Sequence, residues 1–132
     1  MPHRIVNPSA LYDPRPNGYS HVVVSEPGGR LIHVAGQGGE DRDGRLAKGF
    51  QGQVAQAFAN LRAALASADA SPADVVKLTT YIVDHDETKL ATLADELRRT
   101  FGEAFPAQTL VPVSRLALDG MLFEVDAVAI AR

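Results

Sequence analysis

Cysteine and tryptophan are both absent from the 132 residues. Without cysteine there is no disulfide framework, no thiol nucleophile and no thiolate metal site. Aromatic residues are few, three tyrosines and five phenylalanines, too sparse for the stacking platforms on which single-stranded nucleic acids lie. Positive charge is not in surplus either: thirteen basic against sixteen acidic residues leave a net charge of −3. A large nucleic-acid surface, which needs clustered cations, is therefore not expected. No segment approaches the roughly 18 apolar residues that span a bilayer, so no membrane partner is expected. The opening residues MPHRIVNPSALYDPRP have no apolar stretch of the signal-peptide kind. These absences fit a cytoplasmic protein.

What is present describes an ordinary folded chain. At 45% hydrophobic and 22% charged residues the composition is that of a globular protein. The length suits one domain over residues 1–132, and a chain of this size buries roughly two-thirds of its unfolded surface. The four histidines, His3, His21, His33 and His85, lack the spacing of metal ligands. His21 and His33 could face each other across a hairpin, but no carboxylate accompanies them, so no metal is expected. Gly36-Gln37-Gly38-Gly39 is not a phosphate loop, because no Lys-Ser/Thr follows. No cofactor is implied.

Along the chain, residues 1–18 are rich in proline, asparagine and glycine and read as an irregular arm with a short strand near residues 4–6. Residues 19–26, YSHVVVSE, are β-branched, and Pro27-Gly28-Gly29 is a strong turn signal. Residues 30–36, RLIHVAG, are the expected returning strand of a hairpin. A glycine-rich loop is expected over 37–49. Phe50, Val54, Ala57, Phe58, Leu61, Leu65 and Ala68 then recur at helical spacing. Residues 75–83, VVKLTTYIV, form the strongest strand signal. Asp84 or Asp86 can cap a second helix with its buried stripe at Leu90, Leu93, Leu97 and Phe101. Residues 108–113 and 122–131 close the chain as strands. This order gives an α+β fold, a mainly antiparallel sheet with two helices on one face.

The other face of that sheet also holds apolar residues. In the central strand Val76, Leu78, Thr80 and Ile82 alternate with Val75, Lys77, Thr79, Tyr81 and Val83. In the last strand Phe123, Val125, Ala127, Ala129 and Ala131 alternate with Glu124, Asp126, Val128 and Ile130. A solvated face should be polar at every second position, and a contiguous apolar patch marks a partner surface. Either copies of the chain assemble through the sheet or a loop such as residues 37–49 covers it.

Two segments carry the chemistry. FPAQTLVPVSRL begins at Phe105-Pro106-Ala107-Gln108-Thr109, and FEVDAVAIAR contains Glu124, an acid that is costly to bury without a partner or a task. Together they resemble the C-terminal signature of the Rid (RidA/YjgF) family, and the resemblance covers almost the whole chain. Asn17-Gly18-Tyr19-Ser20 resembles the family's tyrosine motif. Val34-Ala35-Gly36-Gln37 resembles its SGQ turn, with Ala35 in place of serine. Gln53, Ala57, Asn60 and Leu61 match its first helix, and Val75-Val76-Lys77 the start of its next strand.

The resemblance implies a homotrimer with small-molecule sites in clefts between subunits. In active members the substrate is an imine or enamine of a 2-oxo acid, an arginine grips its carboxylate, a glutamate orients the water and a tyrosine lines the pocket. Glu124 matches the water-orienting position. Its structural alternative is an acid paired with Arg115. Tyr19 matches the pocket tyrosine, or is simply packed. Gly36 marks a place where backbone meets ligand, or a turn.

The family's arginine position is held by Gln108. A neutral amide cannot donate a charged fork. The deficit is about 1.5–3 kcal/mol, roughly ten- to hundredfold in carboxylate affinity. The family's helix asparagine is also missing, with Thr92 or Leu93 near its place, and its C-terminal cysteine corresponds to Leu110. Arg115 matches a structural arginine and would replace the lost charge only if turned into the cleft. Activity on 2-iminocarboxylates is therefore expected to be weak or absent. The alternatives are a non-catalytic ligand-binding or interaction module and, less favoured, an endoribonuclease.

Overall fold

The computed structural model describes residues 3–132; of the arm expected at the N-terminus, residues 1 and 2 lie outside this range. Among these residues six strands and two α-helices follow in the order β1 (His3–Val6), β2 (Val22–Ser25), β3 (Arg30–Gly38), α1 (Gly49–Ser67), β4 (Val75–Val83), α2 (Glu87–Phe101), β5 (Ala107–Val113) and β6 (Phe123–Ala131). Four strands form the main sheet in the order β3-β6-β4-β5. β6 pairs antiparallel with both β3 and β4, whereas β5 runs parallel to β4. The parallel pair follows from the chain path, because α2 carries the chain back to the start of β4 before β5 begins.

The helices form because their apolar positions recur on one side. Val54, Ala57, Phe58, Leu61 and Leu65 of α1 and Leu93, Leu97 and Phe101 of α2 are buried in one core. They pack there against Phe123, Val125, Ala127 and Ala129 of β6. Phe58 stacks on Phe123 with ring centroids 5.9 Å apart. α2 is capped by Asp86, whose carboxylate accepts the Lys89 N–H at 2.9 Å, and carries Glu87 in its first turn and Arg98 and Arg99 in its last, as the helix dipole favours. In β6 every odd residue from 123 to 131 is buried and every even one only partly, so the alternation in the sequence assigns the faces.

Two expectations are corrected. The hairpin of residues 19–26 with 30–36 does not form: β2 pairs with β1, Ile5 opposite Val23, and β3 pairs with β6. Gly28 and Gly29 both adopt positive φ, and a side chain on Gly29 would strike the Ala131 carbonyl. The turn thus passes over the end of β6 and carries the chain from one sheet to another. His21 and His33 accordingly lie apart, one beside Tyr12 and the other opposite Val128. In β4 a register shift lies between Val75 and Lys77. It places Val75, not Val76, on the buried side with Leu78, Thr80 and Ile82.

Loop 39–48 does not cover the second face of the sheet. It is tied to α1: Asn60 donates to the Gly38 and Glu40 carbonyls at 3.0 and 2.8 Å, and Gln53 to the Ala47 carbonyl at 3.2 Å. Glu124, Asp126, Val128 and Ile130 of β6 and Tyr81 and Val83 of β4 remain partly exposed, and Leu31 of β3 is 62% exposed.

Candidate functional site

β3 is interrupted between Val34 and Gln37, where its register against β6 shifts. Ala35 and Gly36 occupy this bulge and are exposed. The Gln37 side chain donates to the Ala35 carbonyl at 3.1 Å and helps hold its shape. Glu124 lies directly behind: the three atoms that a Cβ on Gly36 would first meet all belong to the Glu124 side chain, its Oε2 foremost. Close approach, and not an unusual backbone angle, is therefore what favours glycine here.

Glu124 is partly buried, and among the described residues it has no hydrogen-bond or ion-pair partner. Burial raises its pKa above the ordinary glutamate value, and the charges of Glu40 and Asp126 raise it further. Arg115 does not neutralise it. That guanidinium is exposed and pairs with Asp119 at 2.9 Å, four residues along the same loop. Tyr81 sits opposite Glu124 in the β4–β6 register, and its hydroxyl donates to Asp126 at 3.1 Å. Burial, followed by the bond to Asp126, raises the pKa of Tyr81.

Glu40 also lines a cleft of about 550 Å³ with Gly36, Gln37, Arg42 and Asn60. Asn60, itself held by Gln56 at 2.9 Å, fixes that wall through the Gly38 and Glu40 carbonyls. Gln53 completes the support by donating to the Gly120 carbonyl at 3.0 Å and accepting the Leu122 N–H at 2.8 Å, two residues before Glu124.

The other residues singled out from the sequence lie elsewhere. Gln108 and Leu110 are on β5, opposite Leu78 and Thr80 of β4, on the helix-covered side of the sheet. Leu110 packs against the core. Gln108 is partly buried and accepts a hydrogen bond from Thr80 Oγ1 at 3.2 Å. Tyr19 lies near the start of β5, because Ser20 donates its N–H to the Pro106 carbonyl at 3.0 Å and bridges to Ala107. The Tyr19 ring lies edge-on to those of Tyr12 and His21, with centroids 6.4 and 5.5 Å away. Within one chain the residues thus form two sets: Ala35, Gly36 and Glu124 at the β3 edge, and Tyr19, Gln108 and Leu110 at the β5 edge. Glu124 and Gln108 face opposite sides of the sheet.

Comparison with known proteins gives this arrangement a family. The profile of the family described as endoribonuclease L-PSP matches residues 13–131. A RutC-family protein of Pyrococcus horikoshii is 35% identical over 119 residues, 88% of this chain and 90% of that one. The chain belongs to the Rid (YjgF/RutC) family. Other Rid-family relatives agree. The RutC-family protein YjgH of Escherichia coli is 34% identical over 113 residues, 84% of this chain and 81% of its own. The crystal structure of a Rid-family protein of Yersinia pestis superposes with a TM-score of 0.92 at 38% identity, covering 98% of this chain and 99% of that one. The RidA structure from an Antarctic Psychrobacter superposes with a TM-score of 0.69 at 29% identity, covering 85% and 87%. Among the described residues of this Rid chain no helix is long and apolar enough to cross a membrane.

Glu40, Tyr81 and Thr80 are not among the candidate site residues singled out from the sequence. Alternation along β4 and β6 puts Tyr81 on the face of Glu124. The contacts of Glu40 and Thr80 depend on the bulge in β3 and the β4–β5 register, which leave no local signal.

Proposed function

We propose that this Rid-family chain works as a homotrimer whose clefts between subunits bind a small metabolite, and that it hydrolyses an imine or enamine there with Glu124 orienting the water. The observation that carries this reading is the state of Glu124. It is a partly buried carboxylate with no cation paired to it among the described residues and with raised proton affinity, packed against a glycine at an exposed bulge. Such an acid costs stability and is a signature of functional sites.

The two sets of residues support an assembled site. β3 and β5 are the two edges of the main sheet. Copies joined β3 edge to β5 edge would set Gly36 and Glu124 of one against Gln108, Leu110 and Tyr19 of the next. A head-to-tail contact of this kind forms a ring when its rotation closes, and it covers edge strands that would otherwise be open to aggregation.

In the proposed reaction Glu124 takes a proton from water as the oxygen adds to the imine carbon, and the imine nitrogen gains a proton. The carbinolamine then collapses, ammonia leaves and the carbonyl remains. One imine and one water give one carbonyl compound and one ammonia. Raised proton affinity makes Glu124 a better base for this step. Gln108 supplies no charge, so 2-iminocarboxylates are poor substrates and a ligand without a carboxylate fits better.

A second reading, a binding module without catalysis, is favoured by one observation: the Gln108 carbonyl is already engaged by Thr80. RNA cleavage, which the family description names, is disfavoured by a net charge of −3 and eight aromatic residues.

The test is turnover of 2-iminopropionate generated in situ by wild type, Gln108→Arg and Glu124→Ala. Weak or absent wild-type activity, gained in Gln108→Arg and lost again when Glu124→Ala is added, is expected. Robust wild-type turnover contradicts the role given to Gln108. Silence in every variant leaves the binding module.

A further inference from the structure

Thr80 lies in the middle of β4 between Leu78 and Ile82, completely buried on the helix-covered side. An apolar residue would fill this place at lower cost, because a buried hydroxyl needs a partner. Its partner is the neighbouring strand's Gln108, whose Oε1 accepts from Thr80 Oγ1 at 3.2 Å. Proton counting sets the direction of that amide. A threonine hydroxyl has one hydrogen to give, and a glutamine amide has one accepting and one donating end. Were the amide reversed, its Nε2 would donate to Thr80 and the buried hydroxyl hydrogen would have no acceptor among the described residues. A buried donor without an acceptor is the costlier state. The Nε2 group of Gln108 has no partner among the described residues, and its strand is an edge of the sheet.

We infer that Thr80 is a positioning residue: it holds the Gln108 amide with its two N–H donors turned to the cleft, so that the site selects ligands bearing a neutral acceptor, a carboxamide or ketone oxygen, over ligands bearing a carboxylate. The inference rests on the intersubunit cleft proposed above. A neutral donor pair satisfies a neutral oxygen fully. It leaves a desolvated carboxylate without compensation, in a cleft whose other wall carries Glu124 and Glu40.

The experiment titrates the protein with pyruvamide and with pyruvate, stable ketone counterparts of neutral and anionic imines, while following side-chain amide signals by ¹⁵N–¹H NMR. Wild type should bind pyruvamide at least about tenfold more tightly, the lower end of what a charge-assisted bond supplies, with the Gln108 NH₂ signals shifting. Thr80→Val should bring the two affinities within about twofold and broaden those signals, as the amide rotates freely. Thr80→Ser, which keeps the hydroxyl, should restore both. A folded Thr80→Val protein with preference and signals unchanged overturns the inference. Pyruvate binding gained in Gln108→Arg, beside a wild type without preference, overturns it and leaves the cleft standing. If neither compound binds any variant, the cleft itself is refuted and the inference falls with it.

Discussion

Replacing Gly36 by alanine tests the contact on which the site is built. The new Cβ would overlap the Glu124 carboxylate, and the three nearest atoms all belong to that side chain. Gly36 has no positive φ, so no backbone strain enters. Overpacking costs about 1–3 kcal/mol. The lower end applies because the clash is with the tip of a flexible, partly exposed side chain. Alanine also recovers about 0.5–1 kcal/mol of the entropy that glycine loses on folding. Gly36→Ala should therefore cost about 0–1 kcal/mol, a fall in Tm of no more than about 5 °C. In a Glu124→Ala background those three atoms are gone, and the same change should stabilise by about 0.5–1 kcal/mol. The double-mutant cycle, measured by urea unfolding, should then give a coupling of about 0.5–2 kcal/mol. Any imine turnover should fall by about a hundredfold, as a base displaced by an ångström loses its alignment. Equal effects of Gly36→Ala in both backgrounds would refute the packing of Glu124 on the bulge.

Two further changes test the electrostatics and the supporting wall. Because the pKa of Glu124 is raised above its ordinary value of 4.5, the folded state holds more protons than the unfolded chain between that value and the raised one. Stability should fall as pH rises through this window and stay reduced above it. Glu124→Gln should remove the fall in urea titrations across pH, and an unchanged profile would contradict the burial and charge crowding assigned to this acid. Gln53 is buried and bridges the Ala47 and Gly120 carbonyls and the Leu122 N–H. Gln53→Leu should cost about 2–4 kcal/mol by leaving those groups unpaired, with amide exchange rising in loop 39–48 and around Leu122; a change below 1 kcal/mol would show the bridge to be dispensable.

Much of the architecture can be derived from local patterns. The stripe from Val54 to Leu65 predicts α1, Asp86 predicts the start of α2, and strict alternation from Phe123 to Ala131 assigns both faces of β6. What escapes is pairing between distant segments. Pro27-Gly28-Gly29 is a turn, but whether it closes a hairpin depends on where β6 ends, a hundred residues on. The shifts at Val34–Gln37 and Val75–Lys77 break the two-residue period locally and move Val75 inward. The candidate site divides in the same way. Gly36, Glu124 and Gln108 are identified by resemblance, but their separation onto two sheet edges follows only from the strand order. Thr80 reads as one more core-facing residue of a strand until the parallel register of β5 brings Gln108 beside it.

The proposal that the two sets of residues meet across a seam between copies is tested most directly by the molar mass of the purified protein in solution. Multi-angle light scattering should give three times the 14.1 kDa chain, about 42 kDa. A mass of one chain at micromolar concentration would leave Glu124 and Gln108 on opposite faces of a lone sheet, with no cleft for them to share.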